Sequence, residues 1–127
     1  MKIPLQHSLD TLHITIIIFL LTASSPGTAA SQSDFSAERG KALWNQSQTV
    51  SGQSRSCSSC HTADPRSEGK HVGTGKAIKP MAPSVNPARF ADQKKVDKWF
   101  KRNCKWTLGR VCSEQEKGDV IEYMKTL

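Results

Sequence analysis

Aromatic residues make up only 6% of this 127-residue chain, with a single Tyr, and no unbroken apolar stretch exceeds eight residues. Crossing a bilayer as a helix takes about 20 apolar residues, so no segment reads as a transmembrane span. A chain of this length holds one small domain, which excludes a multidomain enzyme. Acids are also scarce, 11 Asp+Glu against 18 Lys+Arg, giving a net charge of +7.

The one apolar block, at residues 14–21, reads ITIIIFLL and is followed by small residues ending in Thr28, Ala29 and Ala30. That pattern predicts a signal peptide over 1–30, a mature chain beginning near Ser31 and export to the periplasm. Only Lys2, set against Asp10, precedes the block, so an uncleaved segment is the one route to a membrane. Residues 31–127 keep the net charge of +7, because 1–30 contain one cation and one acid. Small exported domains bury too little surface to be stable on packing alone, so a covalent or cofactor staple is expected. All four cysteines, at 57, 60, 104 and 112, lie in the mature part.

Cys57-Ser58-Ser59-Cys60-His61 is a C-x-x-C-H sequence, the spacing of c-type haem attachment. Two thiols three residues apart on one turn can each add to a haem vinyl group. The adjoining His then lies beneath the iron as proximal ligand. A thioredoxin-like dithiol needs a βαβ setting that is not seen. Zinc needs two more ligands nearby, and the next cysteine is 44 residues on. A structural disulfide is the third alternative.

Helical periodicity flanks the motif. Residues 34–45 carry acids in the first turn and place Phe35, Ala42, Leu43 and Trp44 together. In residues 92–103 Asp92 is the expected N-cap, and Val96, Trp99, Phe100 and Asn103 form the buried stripe. Lys94, Lys95, Lys98, Lys101 and Arg102 fill the outside. Ser113 to Glu116 fits a capping box, followed by Val120, Ile121, Met124 and Leu127 on one face. Gly40 and Gly118 are poor helix residues, and their presence in two helices suggests close backbone crossing.

An N-terminal helix with Gly40 and Trp44, C-x-x-C-H, a Pro-rich loop and a C-terminal helix with Tyr123 together resemble class I monohaem cytochrome c. The resemblance covers nearly all of the mature chain. It implies an all-α fold in which a few helices wrap one covalent haem c, held by Cys57, Cys60 and His61.

Candidates for the sixth iron ligand are Met81, Met124, His71 and Asn103. Met81 sits in a proline-fixed loop but only 20 residues beyond His61. Met124 falls on the expected core face. His71 lies in a Gly-rich basic stretch, 69–76, that suits a solvated loop and lacks the P-loop pattern. Asn103 falls on the helix stripe; its alternative role is a C-cap bonded to backbone. Cys104 follows it directly, and in an exported chain Cys104 and Cys112 are expected to pair.

Arg102-Asn103-Cys104, Cys112 after Gly109-Arg110-Val111, and the run from Ala82 to Phe90 (APSVNPARF) resemble a narrower group, the oxygen-binding sphaeroides haem proteins. That resemblance implies Asn103 as distal ligand beside a Cys104–Cys112 disulfide. It also implies a ferrous iron open to O2, NO or CO, and a cytochrome partner that supplies electrons. Whether such a centre turns over as an oxidase or reductase stays open, and a His/Met electron carrier using Met81 is the alternative.

The basic surface suits an acidic docking face on the redox partner. Nucleic acid is not expected as a partner, because no recognition motif accompanies the charge. Arg89, Lys76 and Lys79 are candidates to neutralise haem propionates, and Trp44, Trp99 and Phe100 to pack in the haem pocket.

Overall fold

A computed structural model describes residues 34–127. The expected signal peptide at 1–30 and the mature start near Ser31 lie outside the described residues. Four helices carry the fold: α1 (Ala37–Asn45), α2 (Ser58–His61), α3 (Gln93–Leu108) and α4 (Glu114–Lys125). Two small antiparallel hairpins were not expected: β1 (Gln48–Val50) with β2 (Gln53–Arg55), and β3 (Gly69–Lys70) with β4 (Ala77–Ile78). No described helix is long and apolar enough to cross a membrane.

Capping fixes the helix ends. The α1 cap is Ser36, whose hydroxyl accepts from the Arg39 N–H at 3.2 Å, so the helix starts three residues later than the acidic pattern suggests. Asp92 caps α3 as expected. That helix runs on to Leu108 and ends at Gly109, whose φ of 71° is the left-handed conformation glycine adopts freely. At α4 the capping box is complete: Ser113 Oγ accepts from Glu116 N at 3.1 Å, and Glu116 Oε2 accepts from Ser113 N at 2.8 Å.

Helices α1 and α4 make the most extensive contact in the molecule. Gly40 allows it, because a Cβ there would collide with the Asp119 carbonyl and come within 2.9 Å of Tyr123 Cβ. At Gly118 the nearest neighbour is the ring of Phe35, which takes the space a Cβ would fill. Asp119 clasps the crossing by accepting from Ser36 N (2.7 Å), Arg39 Nε (2.8 Å) and Gln115 Nε2 (2.9 Å). Beneath lies the core of Trp44, Val120, Tyr123 and Met124.

Helix α3 packs instead on β1 and β2, and buries Val96, Cys104, Thr107 and Leu108. Cys104 and Cys112 are disulfide-bonded, with Cα atoms 5.6 Å apart, and form a second small core with Leu108. The bond ties the last turn of α3 to the start of α4.

Candidate functional site

The segment around Cys57 is set up by the hairpin before it. Ser51 and Gly52 both have positive φ, 52° and 75°, the two-residue turn that matches strand twist. This returns the chain to Ser56, which is buried and reciprocally bonded to Ser59: Ser56 N to Ser59 Oγ at 3.0 Å, and Ser59 N to Ser56 Oγ at 3.1 Å. The exchange starts α2, where the amides of Cys60 and His61 both bond the Cys57 carbonyl. Two unpaired thiols and an imidazole thus share one turn.

That turn is clamped on three sides. Trp44 Nε1 donates to the Thr62 carbonyl at 2.9 Å, and the indole tilts toward the His61 ring with centroids 5.4 Å apart. Thr62 has φ 67°, unusual for a β-branched residue, and its hydroxyl donates to the Asp64 carbonyl at 2.6 Å. Gly69 of β3 presses on the opposite side, where any Cβ would strike the Cys60 carbonyl. On the third side the Thr107 side chain lies beside the Cys57 thiol.

Electrostatics fit iron ligation. Burial, followed by the charges of Arg89 and His71, lowers the His61 pKa to about 4, so the imidazole is neutral with a lone pair to give. Its Nδ1 is buried without a hydrogen-bond partner. Burial pushes the Cys57 thiol up to about 11, against a hydrogen bond from Thr107 that acts the other way. That direction is opposite to the activated thiol of a redox dithiol. Among the described residues no group of three His, Cys, Asp or Glu is placed to hold a metal ion. Paired thiols with a neutral His between buried clamps fit covalent haem.

The rivals for the far side of the iron are separated by their surroundings. Met124 is fully buried in the core, as expected. Met81 is half-buried against the same core, its N–H bonded to the Pro65 carbonyl at 2.8 Å. His71 is exposed in the segment joining β3 and β4, and its Nδ1 accepts from Gly73 N (3.2 Å) and Thr74 N (3.1 Å).

Asn103 lies in the interior of α3, since the helix continues past it; a C-cap role is excluded. It is exposed, not buried as its place on the stripe suggested, and so is Trp99 one turn earlier. At 100° per residue Asn103 falls at the rim of the buried face, beside Thr107 and Val96. The Thr107 hydroxyl, which also meets Cys57, donates to the Asn103 carbonyl at 2.7 Å. Thr107 and Ser56 are the site residues that motif reading misses; their signals were the i+4 spacing to Asn103 and an S-x-x-S pattern.

Arg89 and Lys79 line one cavity of about 390 Å³ with Asn86, whereas Lys76 does not reach it. Arg89 is tied down by donation to the Pro80 carbonyl (2.8 Å) and the Lys79 carbonyl (2.6 Å). Phe100 is half-buried against both cores.

Residues 30–124 match a family described as a domain of unknown function, DUF1924. SHP, a cytochrome c-type protein of Cereibacter sphaeroides, is 42% identical over 97 residues, covering 76% of this chain and 74% of SHP. The chain belongs to this family of c-type cytochromes. Cytochrome c'' of Methylophilus methylotrophus is 44% identical over 88 residues, 68% of this chain, but the match spans only 61% of cytochrome c''. The structure of oxidised SHP, an oxygen-binding cytochrome c, superposes with a TM-score of 0.69 at 39% identity, over 73% of this chain and 83% of that one. Oxidised cytochrome c'' gives 0.67 at 42% identity, over 72% and 76%. A solution structure of cytochrome c'', concerned with haem-ligand detachment, gives 0.62 at 44% identity, over 69% and 72%. The protein accordingly has the cytochrome c fold, and its cofactor is covalent haem c.

Proposed function

We propose that this protein is an exported cytochrome whose haem is attached through Cys57 and Cys60 and ligated by His61 and, when oxidised, Asn103. It takes electrons from a cytochrome partner and, once reduced, binds a small diatomic: O2, NO or CO. The observation that carries the reading is the position of Asn103. It sits on the rim of α3, one turn before the Thr107 that lies beside Cys57 and bonds the Asn103 main-chain carbonyl, with its neighbour Cys104 locked in a disulfide.

Haem iron supplies a one-electron couple and, when reduced, affinity for neutral diatomics. A carboxamide is a hard, weak ligand that suits ferric better than ferrous iron, so Asn103 would hold the oxidised haem more firmly than the reduced one. The freed amide offers an N–H to a bound diatomic. His61 stays in place in both states, because its turn is fixed by Trp44, Gly69 and Thr107. The description of SHP as oxygen-binding supports the same reading. Export is supported by the apolar block at 14–21 and by the disulfide, which persists in oxidising compartments.

Oxidised and reduced electronic and EPR spectra of the holoprotein, Asn103→Ala and Met81→Leu test it. The parent is expected to lose low-spin character on reduction and to take up CO. Asn103→Ala loses the low-spin ferric signal and Met81→Leu keeps it. Loss confined to Met81→Leu, with a reduced form inert to CO, identifies a His/Met carrier instead.

A further inference from the structure

Charge in this protein is concentrated on one element. Helix α3 carries Lys94, Lys95, Lys98, Lys101, Arg102 and Lys105 against the single acid Asp97, a net of +5 in a chain whose net charge is +7. All six are exposed. Projected at 100° per residue, they cover an arc centred opposite the buried Val96, Thr107 and Cys104 stripe. From Lys94 to Lys105 the strip runs roughly 16 Å, and successive cations are at most three residues, roughly 4.5 Å of rise, apart, inside one Debye length of about 8 Å, so they act as one patch.

Pairing sets α3 apart from its neighbours. Lysines of α4 are matched by acids at i,i+3 spacing, Lys117 to Glu114 (2.6 Å) and Lys125 to Glu122 (3.8 Å). On α3 only Lys95 is paired, with the N-cap Asp92 at 3.3 Å. Among the described residues the other five make no salt bridge. At the edge of the strip Trp99 is 50% exposed, with the Arg102 guanidinium 5.1 Å from its ring. An aromatic with a flanking Arg is the composition of a binding hot spot.

We propose that the outer face of α3, centred on Lys98, Lys101 and Lys105 with Trp99 at its edge, is the docking surface for an acidic protein electron donor. The donor gives one electron to the ferric haem and is itself oxidised by one electron. This deepens the electron-accepting role proposed above and rests on it. A membrane fits poorly, because the apolar stripe of α3 is turned inward and leaves no second apolar face to insert.

Reduction of the ferric holoprotein by a reduced flavodoxin, an acidic one-electron protein donor, is followed by stopped flow across ionic strength. Lys98→Glu/Lys101→Glu/Lys105→Glu is compared with the equally charged Lys41→Glu/Lys70→Glu/Lys76→Glu, and dithionite reduction checks that both haems are intact. The α3 triple is expected to slow the bimolecular rate at low salt at least tenfold and to flatten its salt dependence. Less than threefold loss is expected in the control, and Trp99→Ala adds a smaller loss that salt does not remove. Equal losses in the two triples, or a larger one in the control, overturn the assignment. So does α3-dependent pelleting with phosphatidylglycerol vesicles while flavodoxin rates stay unchanged. A ferrous haem closed to CO contradicts the diatomic-binding role but leaves this comparison readable, since it needs only a reducible haem.

Discussion

The hydroxyl of Thr107 donates to the main-chain carbonyl of Asn103 at 2.7 Å, and the same side chain lies beside the thiol of Cys57. One buried threonine therefore links the turn proposed to hold the haem to the helix that presents the proposed distal amide. Thr107→Val keeps the shape and removes the hydroxyl with its bond to the Asn103 main chain, at a cost of about 1 kcal/mol in urea unfolding of the holoprotein. The ferric low-spin fraction is expected to fall and CO association to the reduced form to quicken. Thr107→Ser restores both. A variant that loses stability but leaves the spectra and CO kinetics untouched shows Thr107 to be structural only.

Close backbone approach at Gly40 gives a stability prediction. Gly40→Ala must push α1 off Asp119 and Tyr123, and overpacking of this kind costs about 1–3 kcal/mol. Gly73→Ala meets nothing nearer than His71 Cε1 at 3.4 Å and is expected to be nearly neutral. Urea midpoints of the two variants check the contrast, and similar midpoints remove the crossing argument.

Several of these features were readable from residue order alone, and the reasons are local. The haem-attachment role proposed for Cys57, Cys60 and His61 rests on a local pattern, because thiol addition and iron ligation need that spacing. The Ser113 and Glu116 box and the Asp92 cap are contacts within four residues, which sequence records directly. Three-residue strands such as Gln48–Val50 are too short to show alternation, so both hairpins were missed. Helix α3 runs five residues past the 92–103 segment because Cys104, Thr107 and Leu108 continue the Val96 periodicity, although they lie within the span the disulfide closes. Exposure of Trp99 and Asn103 could not be read, because periodicity gives a helix a face without saying how wide the covered part is.

Acid should loosen the α1–α4 clasp. Hydrogen bonds from Arg39, Ser36 and Gln115 lower Asp119 to about 2, against burial, and Arg110 with the Ser113 amide lowers Glu116 to about 2. Unfolded carboxyls titrate at about 3.9 for Asp and about 4.3 for Glu. Both groups are depressed, so their contribution is full above about pH 5 and drains away as pH falls toward 2. Asp119→Asn is expected to be less stable at pH 7 and to flatten this dependence, read as urea midpoints between pH 6 and 2. A parent-like slope in Asp119→Asn contradicts the clasp.

The disulfide offers the last test, because it joins stability to ligation. Closing the short Cys104–Cys112 loop is worth about 2–3 kcal/mol by the loop-entropy model, so Cys104→Ser/Cys112→Ser should lower the urea midpoint accordingly. A global loss of that size leaves a folded holoprotein, in which α3 ends without its tether one residue from Asn103. Weak ligands depend on rigid support, since every added conformer of the helix end lowers the population in ligating geometry. The ferric low-spin signal is therefore expected to weaken in the double variant while His61 coordination persists. Unchanged ferric EPR at reduced stability assigns the disulfide to folding alone.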